Sequence, residues 1–286
     1  MSPIVFFDTS FMPAEKARLP ALSRAVLYGE GLFETLRTYG GRPFALREHC
    51  ERLRGSARAL RVPLPPGLGG IPQIIASLLA RNGLRDAVVR ISVLAGPSAG
   101  RSAAGGLAAT AARSYLLVSA RKIPRGLAGQ QERGISVVTR AAGAPFLAAH
   151  KATSYLRSVE ARRGRPGERE VLFLDDAGRI LEGAASNVFA IVGGTLITPP
   201  AAGRILPGIA RRTVMEAAAE AGHRVRERHL DPKLLGTVDG LFITSSVIEL
   251  LPVIGRDGRE IGHGKPHPLC RALHGLYRER VREETG

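Results

Sequence analysis

Lysine is scarce in this chain, and one lysine sits where an amine would be chemically useful. There are five lysines (Lys16, Lys122, Lys151, Lys233 and Lys265) against thirty-six arginines, so a plain positive charge is nearly always supplied by arginine. Arginine stays protonated at any working pH, whereas a desolvated lysine can shed its proton and attack a carbonyl to form a Schiff base. Lys151 lies in Phe146-Leu147-Ala148-Ala149-His150-Lys151-Ala152-Thr153-Ser154-Tyr155, between an apolar run and a helix-like segment. Three other groups carry polar chemistry. Arg90 and Ser92 alternate with valines and an isoleucine, Arg52 and Ser56 share one flank of an expected helix, and Thr244-Ser245-Ser246 offers three hydroxyls at a strand end.

The elements that must position these residues are mixed. Gly40-Gly41 reads as a turn between Leu36–Tyr39 and Pro43–Leu46, a hairpin-like arrangement. Leu46, Cys50, Leu53, Ala57 and Leu60 recur at helical spacing, and a second helix is expected over 72–81. Val88–Leu94 predicts a strand with Val89, Ile91 and Val93 buried and Arg90 and Ser92 on the other face, where a charge among valines needs a partner or a ligand. A small-residue loop is expected over 95–106 and a strand at Tyr115–Ser119. Further strands are expected at 135–140, 171–175, 188–192, 195–198 and 241–247, and helices at about 153–163, 208–221 and 267–283. The fold class that follows is α+β. The expected division is a small N-terminal domain at 1–119, a linker at 120–127 where apolar patterning lapses, and a larger domain at 128–286.

Composition narrows the function classes. Hydrophobic residues are 44% and charged residues 23%, which is globular composition. No apolar run approaches the roughly 18 residues of a membrane span, and Met1–Asp8 lacks the basic and apolar regions of a secretion signal, so a cytoplasmic protein with no membrane partner is expected. A net charge of +16 invites a nucleic-acid reading, but the arginines are scattered, Trp is absent and aromatics are 5%, so no nucleic-acid partner is expected. Cys50 and Cys270 form no CxxC pair, and glycines and prolines break the helix that would align His263 with His267, so no metal is expected.

Glu182-Gly183-Ala184-Ala185-Ser186-Asn187-Val188-Phe189, then Leu196-Ile197-Thr198 and Leu206-Pro207-Gly208-Ile209-Ala210-Arg211, resembles the pattern of the class IV pyridoxal-phosphate aminotransferases of fold type IV. That pattern runs from a Glu, through Asn and an aromatic, to a Thr and a closing basic residue. The resemblance covers nearly the whole chain. Tyr28–Thr35 is similar to the family's N-terminal strand motif, His49-Cys50-Glu51-Arg52-Leu53 to its phosphate-binding helix, and Lys151–Tyr155 to its Schiff-base segment.

The resemblance implies a small N-terminal α+β domain, a larger C-terminal domain with a pseudo-barrel, a homodimer, and pyridoxal 5′-phosphate held between the domains. It implies that Lys151 is the catalytic amine and that Glu182 pairs with the pyridinium nitrogen. Arg52, the amides of Ile209 and Ala210, and the hydroxyls of Ser246 and Ser245 would meet the phosphate, and Tyr155 the ring hydroxyl. Many relatives carry Thr where Ala210 stands. Asn187 is expected to order the turn. An amino donor and a 2-oxo acid acceptor are the implied substrates, with Arg90, Arg37 and Tyr28 as carboxylate partners and Phe33 with the 95–106 loop as the pocket's cap.

The family's branches share this apparatus and differ in how the α-carboxylate is caught. D-amino-acid enzymes place an arginine before a glycine after the Val88–Leu94 strand, where this chain has Ala95 before Gly96. Arg90 aligns with an arginine of branched-chain enzymes, but their adjoining tyrosine is Val88 here, and Thr35 stands where they often have Gly. Chain length and Ser245-Ser246 lean towards the D-amino-acid and lyase branches, and Tyr155 leans away from lyases that carry Arg there. An amino-acid aminotransferase, D-amino-acid or branched-chain with chirality open, is therefore expected first. The alternative is a 4-amino-4-deoxychorismate lyase releasing pyruvate and 4-aminobenzoate.

Overall fold

The computed structural model describes residues 2–98, 109–142, 147–163, 170–231 and 233–286. Most of the loop expected at 95–106, and Phe146 ahead of the lysine, lie outside the described residues. The chain forms two compact units, one running to Ile123 and including His150–Tyr155, the other comprising Pro124–Ala149 and Leu156–Glu284. Among the described residues, no helix is long and apolar enough to cross a membrane.

The first unit is a six-stranded sheet backed by helices. In chain order its elements are β1 (Ile4–Phe7), β2 (Ser10–Pro13), α1 (Arg24–Tyr28), β3 (Gly31–Tyr39), β4 (Arg42–Pro43), α2 (Leu46–Ala59), α3 (Ile71–Arg81), β5 (Ala87–Ala95) and β6 (Ser114–Lys122). The sheet order is β2-β1-β6-β5-β3-β4, with antiparallel pairs. Alternation along β3 and β5 sends Leu32, Leu36, Val89, Ile91 and Val93 to one face. There they meet Cys50, Leu53 and Ala57 of α2 and Ile71, Ile75 and Leu78 of α3 in one core. The other face carries Phe33, Thr35 and Arg37, opposite Ser92, Arg90 and Val88 in register. Asn82 closes α3 and pins β1, since its Oδ1 accepts from Ile4 N–H at 2.8 Å and its Nδ2 donates to Ile4 O at 2.9 Å.

Two expectations need correction here. The hairpin partner is the two-residue strand Arg42–Pro43 rather than Pro43–Leu46, because Leu46 already begins α2, whose residues Cys50, Leu53 and Ala57 are buried as a helix face. Strand β3 is also longer than Leu36–Tyr39, since every residue from Gly31 to Arg37 pairs with β5.

The second unit contains α4 (Leu127–Arg133), β7 (Ile135–Ala141), α5 (Leu156–Arg162), β8 (Glu170–Leu174), β9 (Ile180–Gly183), β10 (Asn187–Val192) and β11 (Thr195–Thr198). It continues with α6 (Ile209–Glu220), β12 (Val225–Glu227), β13 (Gly240–Ser245), β14 (Glu249–Arg256), β15 (Arg259–Glu260) and α7 (Pro268–Thr285). Its nine-stranded mixed sheet runs β12-β11-β10-β13-β14-β7-β8-β9 with β15 on β14, the half-barrel of the expected α+β fold. Gly193 and Gly194, at φ 53° and 72°, supply the two left-handed residues of the tight β10–β11 turn. The helix expected at 153–163 begins at Leu156, because the backbone of residues 151–153 is bonded to β3 and is unavailable for helical bonds.

Candidate active site

The lysine segment is held against β3 in the first unit by an isolated bridge. Phe33 N–H donates to Lys151 O at 2.8 Å, Thr153 N–H donates to Gly31 O at 2.9 Å, and Leu32 and Ala152 form an antiparallel bridge between them. Thr153 Oγ1 also donates to Gly29 O at 2.8 Å. A Cβ at Gly31 would lie 2.8 Å from Thr153 Oγ1 and 2.9 Å from Val93 O, so glycine is what lets the two backbones approach. On the other side of the lysine, His150 Nδ1 lies 3.1 Å from Ser56 Oγ on α2.

This anchoring gathers three candidate residues around one ring. Lys151 Nζ lies 4.8 Å from the centroid of Phe33, the Arg90 guanidinium lies 3.5 Å from it, and Tyr155 meets it edge-on at 5.4 Å. A cation over an aromatic face is attracted by the ring quadrupole, and the attraction grows as water is excluded. Arg90 Nε reaches Ser92 Oγ at 3.4 Å, and burial lowers the Arg90 pKa from its ordinary value, with the nearby Tyr155 opposing. The charge on β5 therefore has the partner it needed, an aromatic face. Arg37 and Tyr28 have other neighbours. The Arg37 guanidinium lies over Tyr39 at 4.8 Å, while Tyr28, 44% exposed at the end of α1, lies under Arg24 at 4.9 Å.

On the core-facing side of β3, Arg52 donates from Nε and Nη2 to the two oxygens of Glu34 at 2.8 and 2.7 Å. His49 Nδ1 lies 2.7 Å from the same carboxylate. Burial would raise the Glu34 pKa, but the hydrogen bonds and charge of Arg52 and His49 hold it down at about 2. Burial lowers the pKa of His49, which Glu34 only partly offsets. Neither Glu34 nor His49 was assigned a role from the sequence, although His49, three residues before Arg52, shares its helical flank.

In the second unit, Glu182 on β9 accepts from Leu206 N–H at 3.0 Å and from Asn187 Nδ2 at 3.4 Å. Asn187 also donates to Leu206 O at 2.9 Å, so it ties β10 to the approach to α6. A Cβ on Gly208 would run into Asn187 Oδ1, and only glycine permits this packing. Gly208 then precedes α6 in extended conformation with no capping side chain, leaving the leading amides of Ile209 and Ala210 to another acceptor. The start of α6 is fixed by Arg211, which is buried and donates to Thr198 Oγ1, Pro199 O and Glu227.

Ser245 ends β13 and accepts from Ile248 N–H at 3.4 Å, and Ser246 follows in the turn. Beside them Thr244 Oγ1 is buried with no hydrogen-bond partner among the described residues. Behind the turn, buried Glu249 takes His274 Nε2 and Arg278 Nε, each at 2.6 Å, which clamps α7 to the start of β14. Sequence spacing carried no signal for this clamp.

Each unit by itself offers groups that fit part of a phosphorylated pyridine aldehyde. The first has a lysine amine beside an arginine and a tyrosine, and the second has a carboxylate held by a backbone amide, an uncapped helix N-terminus and an orphaned buried hydroxyl oxygen. Branched-chain-amino-acid aminotransferase of Escherichia coli K12 is 31% identical over 99% of this chain and 95% of its own length. Aminodeoxychorismate lyase of Bacillus subtilis 168 is 30% identical over 98% of this chain and 95% of its own. A solved structure of the T.th. branched-chain amino acid aminotransferase, complexed with N-(5′-phosphopyridoxyl)-L-glutamate, superposes with a TM-score of 0.85 at 27% identity, covering 99% of this chain and 95% of that one. The family model described as amino-transferase class IV matches residues 31–254, and this chain belongs to that family.

Proposed function

We propose that this aminotransferase uses pyridoxal 5′-phosphate bound through Lys151 to move an amino group between an amino acid of branched-chain type and a 2-oxo acid, as a homodimer. The observation that carries the reading is the gathering of Lys151, Arg90 and Tyr155 about Phe33, in a chain similar over its whole length to branched-chain aminotransferases. The bound cofactor supplies an electron sink for the bond at the substrate's Cα. Lys151 Nζ would hold the cofactor through its aldehyde and, as a free amine, would take and return the proton at the substrate's Cα. Glu182 keeps the pyridine nitrogen protonated through a charge-assisted hydrogen bond. Arg52, the amides of Ile209 and Ala210, and the hydroxyls of Ser245 and Ser246 take the phosphate. Tyr155 donates to the ring hydroxyl. Arg90, aided by Arg37 and Tyr28, binds the carboxylate, and Phe33 packs against the substrate.

Lys151→Ala is expected to lose both the near-visible absorbance of the lysine-linked cofactor and turnover, and a variant keeping both would sink the reading. Purified protein given 2-oxoglutarate and a panel of L- and D-amino acids should transfer best from L-leucine, L-isoleucine and L-valine. A D-amino acid as best donor would overturn the branched-chain assignment. Pyruvate release from aminodeoxychorismate, with no amino donor accepted, would establish the lyase instead.

A further inference from the structure

We propose that Glu34 is a positioning residue that sets the Arg52 guanidinium for the cofactor's phosphate, an inference that rests on the assignment of Arg52 to that phosphate. Alternation along β3 turns Phe33 to the Lys151 side and Glu34 to the α2 side, so neighbouring residues of one strand hold the amine and the arginine. The Glu34 side chain is 1% exposed and that of Arg52 is 13% exposed, and both oxygens of the carboxylate are engaged by the guanidinium. A buried ion pair stabilises a fold little better than apolar residues of the same shape. What it supplies here is geometry. A bidentate, side-on contact fixes the plane of a guanidinium that otherwise swings on a long, flexible stem.

His49 holds the same carboxylate from the helix at 2.7 Å, so Glu34 cannot follow Arg52 if the arginine drifts. The flank of α2 that carries His49 and Arg52 continues to Ser56, which reaches His150 next to the lysine. Helical spacing of three and four residues thus registers Arg52 to the segment of Lys151. Phosphate and aldehyde lie at a fixed separation on one small molecule, so the protein must hold the two residues that grip them at a fixed separation too.

The test compares apoenzyme affinity for pyridoxal 5′-phosphate with that for pyridoxal, which lacks the phosphate, in the wild type, Arg52→Ala, Glu34→Gln and the double variant. Arg52→Ala should reduce the preference for the phosphorylated form; if it does not, the placement of Arg52 itself fails, whatever Glu34 does. Given that reduction, Glu34→Gln should cost about tenfold of the preference while pyridoxal binds as in the wild type. The double variant should lose no more than Arg52→Ala alone. Wild-type preference in Glu34→Gln beside a reduced one in Arg52→Ala overturns the inference. So does an equal loss of affinity for both ligands, which would mark Glu34 as structural only. Should Glu34→Gln fail to fold, Glu34→Asp keeps the charge but withdraws it by one methylene. It is expected to lose preference in the same sense, and unchanged preference in it overturns the inference equally.

Discussion

Phe33 meets Lys151 twice. Its backbone N–H donates to the lysine's carbonyl at 2.8 Å, and its ring centroid lies 4.8 Å from the lysine's Nζ. The first contact fixes the register of the lysine segment on β3, and the second places the amine over the ring that also carries Arg90. Main-chain pairing and side-chain placement are therefore one constraint.

The narrowest point of that constraint is Gly31. A methyl group there meets Thr153 Oγ1 at 2.8 Å and Val93 O at 2.9 Å, and the backbone oxygen of β5 cannot give way cheaply. Gly31→Ala should push the 151–153 segment off β3 and lower kcat about a hundredfold, since misplacing a reacting group by about 1 Å costs that much. Far-ultraviolet circular dichroism should stay near wild type. A variant with wild-type kcat would show that the lysine does not depend on this pairing.

Acid sensitivity of the first unit should trace to His49. Its folded pKa lies below the ordinary value because burial disfavours the charged form, so below about pH 6.5 the unfolded chain binds a proton that the folded chain resists. Stability therefore falls as pH drops through that region, by up to about 1.4 kcal/mol per pH unit for one such proton. Glu34 acts in a lower window, because its contribution is present above the unfolded carboxylate value and is lost only as pH falls towards about 2. Thermal unfolding of the apoenzyme from pH 7 to pH 5 should show a decline in Tm that flattens in His49→Gln. An identical slope in the variant would assign the decline elsewhere.

Glu170 behaves in the opposite sense. Burial raises its pKa, while Arg162, the Val171 amide, Ser186 and the Ala184 amide pull the other way without cancelling the rise. A carboxyl raised on folding favours the folded state where it is protonated, and that contribution is lost as pH rises from the unfolded value through the folded one. Glu170→Gln keeps the acceptor for Val171 N–H and the contact to Ser186 Oγ at 3.3 Å while removing the charge. The variant should melt higher than wild type at pH 7 to 8 and equally near pH 4, as read by calorimetry. A lower Tm at pH 8 would show that the ionised carboxylate is stabilising.

Much of this protein is legible in its sequence. The stripe Leu46/Cys50/Leu53/Ala57 predicts α2, the alternation of Val88–Leu94 predicts the two faces of β5, and the run from Glu182 to Arg211 carries the family resemblance. These are local signals, since periodicity and fixed spacing are written in consecutive residues and need no knowledge of what lies across the fold. The tertiary structure alone decided that the Lys151 segment pairs with β3 rather than starting a helix, and that Arg52 turns both its Nε and Nη2 to Glu34 eighteen residues away. It also decided that Glu249 is clamped by His274 and Arg278 from α7. Each of these joins residues distant in sequence through a backbone edge or a buried charge. Such partners are chosen by which groups are left without water once the sheets and helices close, and no spacing within one segment records that choice.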